Sequence, residues 1–345
     1  MAPVKIAIAG GGYGAKVALP VYAELAEFEP VAIWSRRPER ARELAAKAGL
    51  RLGTADLDEL LTVPGLEAIH VATPVVTHAH FAIAAARRGL HVMCEKPLGQ
   101  SLGEAREIVT AIESAGVVGA VNYGRRMQET RRRLIELARD VVGTPRMVTI
   151  SLIHPDHATP DSRTFTWVND AGLGGGRLQG YGVHDLDLLL ELYAVESVAA
   201  ATEVGVPMRD DGAGGLRRVT AEDAYAILLR FVGGGLGVVS LASTARHGRG
   251  DVLELHGSTG TVRLDAERRI WWGRAGEELH CEGPVSASSS EAFKRIALRF
   301  HAAIRDGTPA EPSLAEGLRV QAVYDAVRTA EIERRWVAVG GTVQG

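Results

Sequence analysis

A glycine-rich turn between a strand pattern and a helical pattern constrains the fold of this chain more than any other feature. The apolar run Val4–Ala9 is typical of a buried strand and leads directly into Gly10-x-Gly12-x-x-Ala15. In this context Gly10 allows a tight turn, Gly12 lets a phosphate approach the backbone, and Ala15 is small enough for a helix to pack on the strand. Backbone N–H groups and the positive end of that helix then face the phosphates. The segment therefore predicts a dinucleotide-binding turn.

The end of the next predicted strand, Val31–Ser35, indicates which dinucleotide is bound. It lies about 20 residues beyond the turn, where such folds place the group that binds the adenosine ribose. An Asp or Glu there would repel a 2′-phosphate, but this chain has Ser35 followed by Arg36 and Arg37, whose hydroxyl and planar donors suit a phosphate. We therefore predict NADP as the preferred cofactor, with NAD as the other option. The alternative is that both arginines belong to a solvated turn before the helix Pro38–Ala48.

Short apolar runs alternate with helical patterns over residues 1–121. The predicted strands are Val4–Ala9, Val31–Ser35, Ala68–Ala72, His91–Cys94 and Val117–Val121, and the predicted helices are Tyr13–Ala26, Pro38–Ala48, His78–Arg88 and Leu102–Ala115. This alternation indicates an α/β domain with a doubly wound parallel sheet, a Rossmann domain, in which ligands bind beyond the carboxyl ends of the strands. The segments Gly10–Ala15, Ser35–Arg37, Ala72–Pro74 and Glu95–Pro97 all follow predicted strands, so we expect them to line one crevice.

Residues 122–345 have a different pattern, which predicts an α+β domain that binds substrate. The predicted strands, expected to be mutually antiparallel, are Val148–Ile153, Ala224–Val232, Gly237–Ser243, Val252–Gly257 and Thr261–Asp265. Glycine-rich turns at residues 233–237 and 257–260 suit hairpins between them. The segment Gly283–Ser290 predicts a loop, and Glu291–Asp306 and Leu314–Glu333 predict helices. We expect a broad, mainly antiparallel sheet with one face on helices and the other pairing with a second subunit, giving a homodimer or homotetramer.

Composition and charge exclude several classes of function. The 345 residues carry a formal net charge of −3, so no global field attracts nucleic acid or an acidic membrane. The run Arg131–Arg133 is flanked by acids and predicts a solvated helix face. Two cysteines, Cys94 and Cys281, give neither a disulfide framework nor a metal-binding spacing. No run of about 18 apolar residues is present, and the first residues form a strand pattern rather than a cleavable signal, so we expect a cytoplasmic protein.

Three further motifs connect the chain to a known family. They are Val71-Ala-Thr-Pro74 followed by His78, Cys94-Glu-Lys-Pro97, and Gly174-Gly-Gly-Arg-Leu-Gln-Gly-Tyr-Gly-Val-His184-Asp-Leu-Asp187. Together with the N-terminal turn they resemble the glucose–fructose oxidoreductase, inositol dehydrogenase and rhizopine catabolism (Gfo/Idh/MocA) family, and the resemblance continues through EDAYAILLRF and LRVQAVYDAV. It implies an NAD(P)-dependent enzyme that interconverts a secondary alcohol and a ketone on a sugar, sugar nucleotide, amino sugar or cyclitol.

Lys96 is the first candidate for a catalytic group. At a strand end beside the expected nicotinamide, its ammonium can hydrogen-bond a substrate hydroxyl and stabilise the alkoxide that forms as hydride leaves carbon. Burial and neighbouring charges would lower its pKa. Pro97 stiffens the loop, where the resemblance implies a cis bond, and Glu95 orients Lys96 or contacts the nicotinamide ribose. The alternative is a solvated surface lysine.

His184 is the candidate general acid–base, because imidazole titrates near neutral pH. Asp187 could share its helical face, as residues three apart do. The chain departs from the family at Gly180, where many members carry an Asp four residues before this histidine. Asp187, Tyr181 or water then replaces that carboxylate, or the proton chemistry differs. The alternative for His184 is a histidine at a helix start that is satisfied by backbone. Lys96 and His184, from separate domains, are expected to meet over the nicotinamide.

The remaining candidates follow from the resemblance or from position. Ala72, Thr73, Pro74 and His78 are expected to cover the adenosine and pyrophosphate side of the cofactor, Tyr13 to shield the phosphates beside Gly14, and Trp167 to lie near the nicotinamide. Asn122, Arg126 and Tyr181 are substrate-binding candidates, with a surface helix start as the alternative for the first two. His154 and His157 with His184 lack the spacing of a metal site, so no metal is expected, and Trp271-Trp272 predicts sheet packing.

Two other functions remain open at this stage. The resemblance also allows a redox-neutral glycosidase or epimerase in which the nucleotide stays bound and cycles. A nucleotide-binding regulator without catalytic activity is the third interpretation, which Gly180 favours and which Lys96 and His184 oppose.

Overall fold

The computed structural model describes residues 2–284 and 288–340. The chain divides into two compact units. The first unit comprises Met1–Gln128 and Ser288–Gln321, and the second comprises Glu129–Ala287 and Ala322–Gly345. In the described residues no helix is both long and apolar enough to cross a membrane.

The first unit contains a six-stranded parallel sheet. Its strands are β1 (Val4–Ala9), β2 (Phe28–Trp34), β3 (Leu52–Thr54), β4 (Ala68–Val71), β5 (His91–Glu95) and β6 (Gly119–Asn122), in the order β3-β2-β1-β4-β5-β6. The strand order reverses between β1 and β4, the point at which a doubly wound sheet opens a ligand crevice. The central strands β1 and β4 are largely apolar and buried because both faces of the sheet are covered.

Helices cover this sheet. They are Leu19–Glu24, Pro38–Ala48, Leu57–Leu61, His78–Ala86, Leu102–Ser114 and Ser289–Asp306, with a π-helical turn at Gly14–Ala18. The last of these helices contributes Phe293 and Phe300 to the core that β1 builds. The domain boundary predicted from the sequence, between residues 121 and 122, places the helix Ser289–Asp306 in the second domain. The apolar face of this helix is instead buried in the first unit.

The second unit is built on a mainly antiparallel sheet. Its strands are β7 (Pro145–Ile153), β8 (Val195–Glu203), β9 (Met208–Asp210), β10 (Leu216–Arg218), β11 (Ala224–Phe231), β12 (Leu236–Ala242), β13 (Gly250–Gly257), β14 (Gly260–Leu264), β15 (Ile270–Arg274), β16 (His280–Glu282) and β17 (Val337–Ala338). Nine of the described strands form one sheet in the order β16-β15-β14-β13-β7-β12-β11-β8-β17, and β9 with β10 forms a separate hairpin. Its helices are Glu129–Val141 and Val183–Leu190, and Leu314–Glu333 crosses from the first unit into the second.

The sheet classes expected from the sequence are confirmed, with local differences. β12 and β7 pair in parallel, so the strands are not all mutually antiparallel. The helix expected over Tyr13–Ala26 is shorter and begins as a π-helical turn. Of the loop predicted at Gly283–Ser290, residues 285–287 lie outside the described ranges, and Ser289 already begins a helix that Ser288 caps.

Candidate active site

The glycine-rich turn has the geometry that a dinucleotide pyrophosphate requires. Gly10 has φ +142° and a Cβ built on it would lie 2.2 Å from the carbonyl oxygen of Ala72, so only glycine fits there. At Gly12 an added Cβ would meet no described atom within 4 Å, which leaves the outer side of the turn open to a ligand. Gly14 is buried, and its Cβ would come within 2.8 Å of the Ile8 side chain. The closest helix–strand contact therefore falls at Gly14, whereas Ala15 packs partly buried against the core.

The strand ends of the first unit are in register around this turn. The Gly10 N–H donates to the Trp34 carbonyl oxygen at 3.0 Å, and the Ala72 N–H donates to that of Ala9 at 2.8 Å. Ala72 and Thr73 are buried, and Pro74 is half-buried beside them. The segments expected to follow the strands at this edge are thus brought together within one unit.

The residues expected to determine the specificity for NAD or NADP lie at the end of β2. Ser35 is buried, and its Oγ lies 3.1 Å from where a Cβ on Gly11 would stand, so the hydroxyl lies directly against the glycine-rich turn. The side chains of Arg36 and Arg37 are exposed and form no hydrogen bond or ion pair with the described residues. Their guanidinium groups are therefore available to a ligand at this position.

Glu95 is the centre of a buried polar network at the ends of β4, β5 and β6. Its Oε1 accepts a hydrogen bond from Asn122 Nδ2 at 2.6 Å and lies 3.3 Å from His70 Nε2. Asn122 Nδ2 also lies 3.3 Å from the Tyr13 hydroxyl. Burial raises the pKa of Glu95, but His70, Asn122 and the Lys96 ammonium more than offset it and hold the pKa below its usual range. The network therefore keeps a carboxylate next to Lys96.

Lys96 lies at the carboxyl end of β5 with a perturbed pKa. Burial lowers the pKa of its ammonium to about 8, while the neighbouring Glu95 carboxylate favours the charged form and Arg125 opposes it. The peptide bond to Pro97 is cis. An ammonium with this pKa carries its proton at neutral pH and can release it within the working range of an enzyme.

His78 is fully buried and joins two loops of the site. Its Nδ1 lies 3.0 Å from the Pro97 carbonyl oxygen, and its Nε2 lies 3.0 Å from that of Thr73. Burial lowers its pKa, against the two carbonyl contacts. With 1% of its surface exposed, His78 cannot cover a cofactor as expected. It instead positions the Lys96–Pro97 loop against the Thr73 loop.

Three further candidates of the first unit, Asn122, Arg126 and Tyr13, have hydrogen-bond or ion-pair partners within the protein. Asn122 is buried in the Glu95 network. Arg126 is buried and forms an ion pair with Glu316, whose carboxylate also accepts from the Ser313 N–H at 2.7 Å. Tyr13 is partly exposed, and burial of its hydroxyl together with Glu95 raises the pKa well above its usual value. Both Asn122 and Arg126 thus have partners within the protein, and their roles in substrate binding stay predictions.

In the second unit, the glycine run before His184 is anchored by Glu222. Gly176 has φ +120°, and a Cβ built there would lie 2.1 Å from Glu222 Oε1. That oxygen accepts a hydrogen bond from the Leu178 N–H at 2.9 Å, at the start of the π-helical turn Leu178–Gly182. Burial raises the pKa of Glu222. This contact fixes the start of the helical segment that carries His184.

His184 lies half-buried in the first turn of the helix Val183–Leu190. Asp187 on that helix is fully buried, and its Oδ2 accepts from Arg131 Nη2 at 2.7 Å. Arg131 also binds Glu191 at 2.7 Å and lies 3.3 Å from the His184 carbonyl oxygen. Because its carboxylate is enclosed and paired with Arg131, we assign Asp187 a positioning role, and the catalytic role expected from the sequence stays a prediction. Arg131 is likewise buried and not on a solvated face.

The surface next to His184 is open. At Gly180 an added Cβ would meet no described atom within 4 Å, so crowding does not require glycine there. The Arg177 guanidinium lies 5.5 Å from the centre of the half-buried Tyr181 ring. Trp167 begins a short 3₁₀ turn and is 44% exposed, which leaves its ring available to a ligand.

The histidines considered as metal ligands have other partners. His154 Nε2 lies 2.6 Å from Asp251 Oδ1, and His157 Nε2 contacts Arg177. Within residues 2–284 and 288–340 no cluster of three or more His, Cys, Asp or Glu is arranged to hold a metal ion. Trp271 and Trp272 lie on β15; Trp271 packs with Arg263 of β14, and Trp272 packs with Arg133 of the helix Glu129–Val141.

Sequence reasoning missed two positioning residues of the site. His70 interrupts the apolar run of β4, and a polar residue in a buried strand is itself a signal of a specific partner. Glu222 precedes β11 within EDAYAILLRF, where nothing local indicates that its carboxylate caps a distant helix.

Known proteins resemble this chain over most of its length. Residues 4–123 match the profile described as "Oxidoreductase family, NAD-binding Rossmann fold", and residues 130–263 match the GFO/IDH/MocA C-terminal domain. Levoglucosan dehydrogenase of Pseudarthrobacter phenanthrenivorans is 26% identical over 98% of this chain and 99% of the relative. The scyllo-inositol 2-dehydrogenase (NADP(+)) of Bacillus subtilis is 26% identical over 77% of each chain. The solved structure of levoglucosan dehydrogenase in complex with NADH and L-sorbose has a TM-score of 0.85 at 25% identity and covers 98% of this chain and 99% of that one.

Proposed function

Because the chain belongs to the Gfo/Idh/MocA oxidoreductase family, we propose that it oxidises a secondary alcohol, or reduces the matching ketone, on a sugar, sugar nucleotide, amino sugar or cyclitol. It is an NAD(P)-dependent dehydrogenase or reductase acting on CH–OH groups. Two of its relatives are named for levoglucosan and scyllo-inositol, both ring polyols. That shared chemistry supports the substrate class proposed for this chain.

One observation carries the proposal most directly. Lys96, with a pKa lowered to about 8, follows a strand that ends at the same sheet edge as the glycine-rich turn. The buried Glu95 carboxylate beside it holds a position that the His70 and Asn122 side chains fix. A preorganised ammonium of this kind stabilises negative charge that develops on a substrate oxygen.

The proposed chemistry divides between two side chains. A bound nicotinamide supplies the hydride acceptor. Lys96 donates a hydrogen bond to the substrate oxygen and stabilises its alkoxide character, while His184 accepts the hydroxyl proton during oxidation and returns it during reduction. Asp187 and Arg131 hold the helix that carries His184, and His78 holds the loop that carries Lys96.

The residues at the end of β2 support NADP as the preferred cofactor. Ser35 offers a hydroxyl against the turn, and Arg36 and Arg37 offer two exposed guanidinium groups in the place of a carboxylate that would repel a 2′-phosphate. A 2′-phosphate would therefore gain charge-assisted hydrogen bonds that NAD cannot make.

The test of the reaction is net formation of reduced nicotinamide with a panel of ring polyols. We expect His184→Ala to lower turnover by about two to four powers of ten with little change in cofactor affinity. Wild-type turnover in this variant would refute the role of His184. Substrate conversion without net reduced nicotinamide would instead favour the redox-neutral alternative, and tight cofactor binding without any conversion would favour the regulator.

The test of the cofactor is a comparison of NADP and NAD affinity in wild type and Arg36→Ala. We expect the wild type to bind NADP more tightly and the variant to lose mainly NADP affinity, by about tenfold, since one charge-assisted contact is removed. Equal or tighter binding of NAD by wild type, unchanged in Arg36→Ala, would contradict the assignment.

Two further proposals concern the state of the protein. The outer face of the nine-stranded sheet exposes apolar side chains and suits association into a homodimer or homotetramer. Cys94 is buried, Cys281 is exposed and both are free thiols, as expected for a protein that works in the reducing cytoplasm.

A further inference from the structure

A cluster of positive charge in the second unit is not used by the chemistry proposed above. Its centre is His157, which is 7% exposed and whose Nε2 contacts the Arg177 guanidinium. Arg209 is fully buried and donates to the His157 carbonyl oxygen at 2.9 Å. Because an arginine donates to Nε2, the imidazole accepts there and carries no charge, and burial with Arg177, Arg209 and Arg163 lowers the His157 pKa to about 3. The histidine therefore adds nothing that balances the guanidinium groups.

No carboxylate of the described residues pairs directly with these guanidinium groups, although Asp156 and Asp223 favour the charged form of Arg177 from a distance, as Asp223 does for Arg209. Arg209 donates to neutral groups, the carbonyl oxygens of His157 and Thr159, and its Nε is buried without a partner. Within residues 2–284 and 288–340 no carboxylate oxygen lies within 4 Å of the Arg177 or Arg209 guanidinium. The nearby Asp223 directs its carboxylate to the Gly205 and Val206 N–H groups, at 2.7 and 3.1 Å.

The other buried arginines of the described residues form ion pairs with carboxylates. Arg126 pairs with Glu316, and Arg131 pairs with Asp187 and Glu191. Removing charge from water without a counter-charge is costly, so buried guanidinium groups are normally paired. The fully buried Arg209 is the exception, and with the half-buried Arg177 beside the same histidine it points to a counter-ion that comes from outside the chain.

Arg177 is the member of the cluster that a ligand can reach. It is half-buried, immediately precedes the helical segment that leads to His184, and stacks over Tyr181 at 5.5 Å. Three residues on, an added Cβ at Gly180 would meet no described atom within 4 Å. A carboxylate at this position would add a negative charge close in sequence to the Arg177 guanidinium and would weaken its attraction for an anion. With glycine, no such charge is present in the segment that leads from Arg177 to His184.

We propose that Arg177 binds an anionic group, a carboxylate or a phosphate ester, on the sugar or cyclitol substrate. The inference rests on the proposed function and narrows its substrate class to acidic or phosphorylated ring polyols. The planar guanidinium offers two parallel donors to either anion. His157 and Tyr181 hold the guanidinium from two sides, which limits the entropy lost when the anion binds.

The experiment compares each anionic sugar or cyclitol with its neutral twin, the matched compound that lacks the anionic group. Calorimetric titration of the NADP-loaded full chain uses D-glucuronate against D-glucose, D-glucose 6-phosphate against D-glucose, and myo-inositol 1-phosphate against myo-inositol. We expect at least one anion to bind about tenfold or more tightly than its twin, because a hydrogen bond to a charged group contributes that much. The uronate and phosphate arms distinguish the two sources of the anion.

Variants assign the preference to Arg177. We expect Arg177→Gln to abolish it and Arg177→Lys, which keeps the charge but not the planar fork, to retain part of it. Arg146→Gln is the matched control, because Arg146 is an exposed arginine of the same unit without a hydrogen bond or ion pair to the described residues. If Arg177→Gln does not fold, the proposal is tested by the affinities of wild type and Arg177→Lys for the anionic and the neutral sugars.

Two results would overturn the inference: no pair showing a preference for the anion in wild type, or a preference that survives in Arg177→Gln. Reduced nicotinamide formed equally well from the anionic and the neutral sugar of every pair, by both wild type and Arg177→Gln, would overturn it while leaving the proposed function intact. The absence of reduced nicotinamide with every sugar, despite tight binding of anions through Arg177, would instead contradict the proposed function and support the anion site.

Discussion

Lys96 makes the catalytic proposal sensitive to pH. Its ammonium has a pKa lowered to about 8, chiefly by burial, and Glu95 opposes that shift. If the ammonium must donate to the substrate oxygen, kcat/KM for polyol oxidation falls as pH rises through about 8. Removing the carboxylate in Glu95→Gln leaves the ammonium less stabilised, so we expect the basic limb to move to lower pH. Lys96→Arg, which stays charged, is expected to move it to higher pH.

The pH dependence of kcat/KM in these three proteins checks this prediction. Lys96→Met serves as the reference and is expected to lose about a hundredfold or more, because it removes one preorganised donor. A basic limb that stays at the same pH in Glu95→Gln would show that another group titrates there.

Gly180 provides a second test at a single residue. The position has open space and no left-handed backbone angle, so we expect Gly180→Asp to change the free energy of unfolding by less than about 1 kcal/mol. The new carboxylate lies three residues from Arg177 and is expected to lower the preference for anionic sugars about tenfold while neutral polyols are still oxidised. Kinetics with each pair of twins, together with urea unfolding, measure both effects.

Gly176→Ala is the control for this experiment. Its φ of +120° and the contact with Glu222 make any side chain strained, so it is expected to destabilise the protein where Gly180→Asp does not. An unchanged anion preference in a folded Gly180→Asp variant would separate residue 180 from the Arg177 site.

The parts of this site that depend on a few consecutive residues could be predicted from the sequence, whereas its long-range contacts could not. The places of the turn at Gly10 and of the residues after β2 and β5 could be predicted, because an apolar strand followed by glycines or by a charged motif is recognised from a few consecutive residues. The burial of His78 and Asp187 could not, since their partners, Pro97 and Arg131, lie 19 and 56 residues away in sequence. Residue type identified these positions as special, but only tertiary packing distinguishes a positioning group from one that contacts a ligand.

At the level of elements, two helices of the second unit are joined by one buried ion pair. Arg131 on Glu129–Val141 binds Asp187 on Val183–Leu190, with Glu191 as a second acceptor. We expect Asp187→Asn to lower the free energy of unfolding by about 2 to 4 kcal/mol, because it leaves a buried arginine partly unpaired. Since we assign Asp187 a positioning role, we expect kcat at a temperature where the variant is folded to fall less than tenfold.

Urea unfolding and steady-state kinetics together test this role. Glu191→Gln is the matched control, because Glu191 is more exposed and its loss leaves the Asp187 pair intact; a smaller loss of stability is expected. A hundredfold loss of kcat in folded Asp187→Asn would restore the catalytic interpretation that the sequence alone suggests.

The elements that sequence patterns missed have physical reasons in common. β3 has three residues, too few to show a period, and β8 is rich in alanine, so its inward and outward faces are hard to distinguish. The parallel pairing of β7 with β12 depends on which strands become neighbours, and periodicity carries no information on strand direction. The helices Pro38–Ala48 and Leu314–Glu333, in contrast, have the bounds predicted for them; Pro38 marks the start of the first and the Ser313 cap the start of the second.

At the level of the whole molecule, the outer face of the nine-stranded sheet predicts self-association. Leu228 on β11, Leu236 on β12 and Met147 on β7 are 47%, 43% and 39% exposed, and Leu236 is paired in register with Met147. Exposed apolar side chains on adjacent strands of one face are unusual for a monomer and typical of an interface. We expect an oligomer at micromolar concentration and a shift to monomer in Leu228→Lys, since a buried unpaired ammonium opposes association.

Size-exclusion chromatography with light scattering measures this directly. Leu216→Lys is the matched control: it is 60% exposed but lies on the separate β9–β10 hairpin, so it adds the same charge without touching the sheet face. A monomeric wild type, or an oligomer that persists in Leu228→Lys, would assign the exposed leucines to some other role. If Leu228→Lys is monomeric and keeps its turnover, each chain holds a complete catalytic site, and association serves stability rather than chemistry.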